Sequence, residues 1–262
     1  PSEGYDQDTL KAVFDSIVTV RTATQASMDL VNNAEALENI DYVENLLTAF
    51  EGVADGHTIH SGKDISTTKI PELNKLVADF EALPEANQTA ALAAVISNRP
   101  EGGYLSSTLT LNALTNAIAE QAGIIEAAIN TALEAVNAIT GVAADVEVIK
   151  DNAAILGLNL EAFNALDDKT GQDGGRQTAV MKDLVSNKPS EGYDQDTLKA
   201  VFDSIVAVRT ATQESMDLVN EAESLENINY VEDLLAAFES VAEGHTIHSG
   251  KAISEKVTAL EG

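Results

Sequence analysis

Apolar side chains recur along this chain at helical spacing. In the first stretch Leu10, Val13, Phe14, Ile17, Val20, Thr24, Met28 and Val31 fall on one side of a helix turning about 100° per residue. Asp6 or Asp8 can cap its start and Asn32-Asn33 can stop it, so a helix is predicted from about Asp8 to Asn33. The apolar phase jumps between Val31 and Ile40, which separates a second helix, about Glu38 to Asp55, with Ile40, Val43, Leu46, Leu47, Phe50 and Val53 on its inner face and Gly56 at its end. Pro71 suits the first turn of a third helix bearing Leu73, Leu76, Val77, Phe80 and Leu83, which Pro84 closes. A fourth, about Glu85 to Ile96, carries Leu92, Val95 and Ile96.

The plan then repeats with other residues. Leu111, Leu114, Ile118, Ala122, Ile125, Ile129, Leu133 and Val136 mark a long helix, and Ile139, Val142, Val146 and Ile149 mark the one after it. Phe163-Asn164-Ala165-Leu166 echoes Phe80-Glu81-Ala82-Leu83, and Gln177-Thr178-Ala179 echoes Gln88-Thr89-Ala90. No segment sustains the alternation of a strand. The predicted fold is all-α: tandem antiparallel helical-bundle repeats of about four helices per unit, forming an elongated array.

A second signal supports the helical faces. Residues 1–66 return at 189–254 without a gap and with ten differences. In the first helix the copies differ at Thr19/Ala207, Ala26/Glu214 and Asn33/Glu221, and in the second at Asp41/Asn229, Asn45/Asp233, Thr48/Ala236, Gly52/Ser240 and Asp55/Glu243. These positions lie opposite the apolar stripes, where packing is indifferent to the side chain. Ala36/Ser224 and Asp64/Ala252 fall outside both faces. The turn Ser97-Asn98-Arg99-Pro100 with Gly102-Gly103-Tyr104 matches Ser186-Asn187-Lys188-Pro189 with Gly192-Tyr193. These marks divide the chain into helical unit A (1–99), helical unit B (100–188) and a truncated second copy of unit A (189–262).

Composition narrows the kind of core. Hydrophobic residues make up 44% of the chain, yet there are six Phe, five Tyr and no Trp, so the interior must be built from Ala, Leu, Val and Ile at close helix–helix distances. Lys plus Arg number 15 against 43 Asp plus Glu, a net charge of −28 that repels nucleic acid and anionic membrane alike. The longest apolar run, Ala90–Ile96, is too short to span a bilayer, so no membrane insertion is expected. The acidic excess reads as a solvated surface with at most weak Ca²⁺ association. The absence of Cys excludes disulfides, thiolate metal sites and cysteine nucleophiles. No signal peptide opens the sequence, whose first residue is Pro, and it reads as a piece of something longer.

Candidate chemistry is sparse. All four histidines lie in Gly56–Gly62 and its copy Gly244–Gly250, as His57, His60, His245 and His248. Imidazoles three residues apart can share a transition metal, but a His near a helix C-terminus also suits the final carbonyls and the negative end of the dipole, and that is the reading adopted. Asp167–Gly175 is acidic and Gly-rich without the spacing or terminal Glu of an EF-hand, and reads as an interhelical loop. No catalytic or cofactor residues are assigned, and an enzyme is not expected. Composition and recent duplication together resemble the repeat regions of large bacterial surface or extracellular proteins, adhesins, filaments and surface layers among them. The resemblance implies a structural spacer or stalk at the cell surface or outside the cell. Its expected partners are neighbouring repeats of the same chain, other copies and cell-surface proteins. The alternative is a protein- or metal-binding helical module using the His-x-x-His loops.

The copies differ at Asp64/Ala252, the nearest extra ligand, and only Asp55/Glu243 keeps an acid immediately beside the pair, so the two imidazoles alone would hold metal weakly. Calorimetric titration with Zn²⁺, Ni²⁺ and Cu²⁺ is expected to show no stoichiometric binding. Submicromolar uptake of about two metals per chain, lost in His60→Ala with His248→Ala, would establish the metal-binding alternative.

Overall fold

A computed structural model of the chain describes residues 6–53, 65–166, 175–221, 229–240 and 253–261. Among them there is no strand, and the chain is all-helical. Two compact units are present, Pro1–Ile125 and Glu126–Gly262.

The first unit contains α1 (Gln7–Asn33), α2 (Asp41–Glu51), a π-helical turn (Ile65–Lys69), α3 (Ile70–Glu81) and α4 (Glu85–Ser97). The Asp6 carboxylate accepts the Thr9 N–H at 2.7 Å and so caps α1; that bond lowers its pKa. Val31, Ile40, Tyr42, Val43, Leu46, Phe50, Leu73, Leu76, Phe80, Leu92 and Val95 form one core, as the helical spacing requires. The second helix is shorter than predicted. Asn39 accepts the Asp41 N–H, which sets the start there, and the Gly52 N–H closes on the carbonyls of Thr48 and Phe50. Pro71 sits in the first turn of α3, where its missing N–H costs nothing.

The boundary between the units falls within one helix, α5 (Ser107–Asn137). Its apolar stripe divides: Leu114, Ala117 and Ile118 belong to the first core, Ala132 and Val136 to the second. Ala122, predicted in the stripe, is exposed, and between the two cores only Ile125 of residues 122–128 packs against one of them, the first.

The second unit continues with α6 (Asp145–Leu156), α7 (Glu161–Ala165), α8 (Arg176–Asn187), α9 (Gln195–Glu221), α10 (Asn229–Glu239) and α11 (Ile253–Glu261). Helix α6 begins later than the sequence suggests. The buried Asp145 carboxylate accepts the N–H groups of Thr140, Gly141 and Val142 at 2.8–2.9 Å, and Gly141 has φ +85°, so Ile139 and Val142 stand in a turn ahead of the helix. Ile139 still reaches the core while Val142 is half exposed. Leu156, Phe163, Met181, Leu184, Leu198, Phe202 and Ile205 fill the interior, with the Phe163 and Phe202 rings 5.4 Å apart. A small satellite core joins Val208 and Phe238 to Leu234, Val257 and Leu260.

The two copies keep the same elements 188 residues apart: α1 and α9 have equal bounds after that shift, as do α2 and α10. Thr19, Ala26, Asn33, Asp41, Asn45, Thr48 and Gly52 are exposed, and so are the described counterparts Ala207, Glu214, Asn229, Asp233, Ala236 and Ser240. Divergence therefore marks the solvent face. One part of the predicted stripe does not hold. Leu10, Phe14 and Ile17 are more than half exposed in α1, although Val20 and Val31 farther along are buried.

Phe50→Ala is expected to cost on the order of 3–5 kcal/mol as a core truncation, and Thr48→Ala to stay within about 0.5 kcal/mol of neutral. Urea unfolding of both variants checks the orientation of α2.

Candidate functional site

A helix leaves its last carbonyls without intrahelical partners, and the ends of α1 and α5 meet that need in the same way. At α1, one Arg99 guanidinium nitrogen donates to the carbonyls of Val31, Asn32 and Ala34 at 2.7–2.9 Å, placing a cation at the negative end of the helix dipole. The Asn32 side chain then grips the backbone of Tyr104, donating to its carbonyl at 2.9 Å and accepting its N–H at 2.7 Å. The Tyr104 hydroxyl in turn donates to the Val95 carbonyl of α4 at 2.8 Å. Burial raises the phenol pKa, and nearby Arg99 opposes that shift.

The same set closes the end of α5. Lys188 donates to the Asn137 carbonyl at 2.8 Å, and the Asn137 side chain holds the Tyr193 N–H and carbonyl at 2.7 and 3.0 Å. The Tyr193 hydroxyl donates to the Leu184 carbonyl of α8 at 2.7 Å, and its burial pushes the phenol pKa well up. Thus Asn32, Val95, Arg99 and Tyr104 correspond in role to Asn137, Leu184, Lys188 and Tyr193. The turns match as well: the Gly103 N–H reaches the Pro100 carbonyl at 2.9 Å, and the Gly192 N–H reaches that of Pro189 at 3.0 Å. Gly103 (φ +86°) and Gly192 (φ +88°) lie in a region that favours glycine, and a Cβ at either would stand 2.8 or 3.1 Å from the clasping Asn.

A further pairing explains an echo seen in the sequence. Gln88 donates from α4 to the Leu83 carbonyl at 2.9 Å, and Gln177 donates from α8 to Leu166 at 3.4 Å and Phe163 at 3.2 Å. Each Gln occupies carbonyls at the end of the preceding short helix. Asp183 of α8 is fully buried, and Arg209 of α9 donates to it through Nε at 2.7 Å. A buried carboxylate requires such a partner, since an uncompensated charge there would be costly.

The sequence marked the Pro, Gly and Tyr of these clasps as punctuation and Asn32 as a stop signal, but did not connect them. Partners are 72 residues apart in one clasp and 56 in the other. A legible clue was the dipeptide before each helix end, Val31-Asn32 and Val136-Asn137, with both valines fully buried. The groups of the clasp hold backbone: each Asn and tyrosine hydroxyl is committed to a main-chain amide or carbonyl.

His57, His60, His245 and His248 lie outside the described residues, as do Asp64, Ala252 and residues 167–174 of the acidic loop. Among the described residues no group of three or more His, Cys, Asp or Glu is placed to hold a metal ion, and no helix is long and apolar enough to cross a membrane.

Two glycines separate conformational need from mere presence. Gly103→Ala is expected to cost about 1–3 kcal/mol through backbone strain. Gly123→Ala, in open space within α5, should instead stabilise by about 0.5–1 kcal/mol, as Ala does over Gly in a helix. Urea midpoints of the two variants should move in opposite directions.

No protein-family model, no curated protein and no solved structure matches this chain.

Proposed function

We propose that the chain is a structural spacer: helical units repeated in tandem to form an elongated array within a bacterial cell-surface or extracellular protein, without enzymatic activity of its own. The observation that carries this reading is the clasp. Two segments with little sequence in common outside their punctuation end their long helices on the same Asn, Gly-Tyr and basic-residue set. A helix closure reused with different cores is what serial extension needs, because each long helix can then end, and the next segment begin, by the same chemistry.

Sequence divergence agrees with that role. Between the copies of unit A, changes collect on the solvent face, while the inward face is retained and the clasping Asn32 is matched by Asn at position 220. The net charge of −28 keeps the surface solvated and mutually repelling, which opposes collapse of neighbouring units onto one another.

Small-angle X-ray scattering on chains carrying one, two and three 188-residue periods tests the proposal. The maximum dimension is expected to rise by an equal increment with each period. A radius of gyration growing only as about the 0.38 power of chain length, the behaviour of a compact globule, would overturn it.

A further inference from the structure

The two copies of the first helix have identical sequence from the start of the repeat through Val18 and Val206, yet their surroundings differ. Leu10, Phe14, Ile17 and Val18 are 54, 63, 51 and 44% exposed, whereas Leu198, Phe202, Ile205 and Val206 are 0, 0, 2 and 4% exposed. Composition cannot be the cause, so the neighbours are. What covers the second copy is the segment before it. Helices α7 and α8 pack on α9, Phe163 meets Phe202, Asn137 holds the backbone of Tyr193, and Asp183 pairs with Arg209.

We propose that the apolar face of α1, formed by Leu10, Phe14, Ile17 and Val18, is a docking surface for the 126–188 segment of another repeat. This deepens the spacer reading and rests on it. The occupant is specified by the second copy: an apolar pocket built around Phe163, Leu156 and Leu184, with a buried carboxylate at Asp183. Arg21, the counterpart of Arg209, is exposed on α1 and supplies the matching cation. The contact is heterologous, since the segment and the helix face are different surfaces, and such contacts extend in series. Within one molecule the 126–188 segment is already engaged by α9 through these same residues, so the occupant of α1 must come from a further repeat.

The test places residues 100–188 directly ahead of Pro1, which recreates the Lys188–Pro189 junction, and follows amide exchange by mass spectrometry. Peptides containing Thr19 or Ala207 distinguish the two helices, because the preceding residues are identical. Exchange in the Thr19 peptide is expected to slow at least tenfold on extension, reaching the rate of the Ala207 peptide. Phe14→Asp in the extended chain should restore fast exchange at Thr19 and leave Ala207 protected. A Thr19 peptide as fast as before extension overturns the proposal, whether or not Ala207 is protected. So does slow exchange that survives Phe14→Asp, or a Thr19 peptide already protected in a self-associated, unextended chain. Fast exchange combined with linear growth in scattering dimensions would remove this docking surface and leave the spacer standing; non-linear growth with a protected Thr19 peptide would do the reverse.

Discussion

The structure depends on how its long helices end. A 27- or 31-residue helix such as α1 or α5 delivers its final carbonyls to a place where water is partly excluded, and each unpaired carbonyl there would cost free energy. Arg99 and Lys188 supply donors from the following turn, and Asn32 and Asn137 bind the backbone of the tyrosine that opens the next segment. That tyrosine carries the connection on to α4 or α8 through its hydroxyl. One polar cluster therefore ties a helix end, a turn and a neighbouring helix together, and glycine is required where the Asn approaches the backbone most closely.

Around this frame the cores are aliphatic. With no Trp and few aromatic rings, each unit relies on Leu, Ile, Val and Ala, so helix faces must meet closely. The few aromatic side chains take central places: Tyr42, Phe163 and Phe202 are among the largest fully buried side chains. Acidic residues are kept at the surface apart from Asp145 and Asp183 among the described residues. Each of these two has a specific partner set, three main-chain N–H groups in one case and a guanidinium in the other. A chain this acidic can fold because, among the described residues, almost none of the negative charge leaves water.

The copies of unit A act as an internal control on what neighbours contribute. In the first copy Tyr42, Val43 and Leu46 are fully buried, while Tyr230, Val231 and Leu234 are only partly so. At the start of the long helix the order is reversed, and Phe14 is exposed where Phe202 is enclosed. Each copy is thus complete on the side where the chain provides an adjoining segment. Burial at these positions belongs to the assembly of segments, not to the local sequence.

The helices of the first unit, the turns at Pro84, Pro100 and Pro189, and the inner faces of α2, α3 and α4 were legible in the sequence because they follow from local periodicity and turn chemistry. The solvent faces were legible twice, through hydrophobicity and through copy divergence. Three features were not. The start of α6 was displaced because Asp145 bonds three N–H groups of a turn whose apolar residues keep a helix-like spacing. The clasps were invisible because their partners are 56 and 72 residues apart, and no spacing rule links an Asn to so distant a Gly-Tyr. The exposure of Phe14 against the burial of Phe202 could not be read at all, since the local sequences are the same. A sequence determines which faces need covering; only the tertiary structure decides which of them are covered, because coverage depends on residues far along the chain.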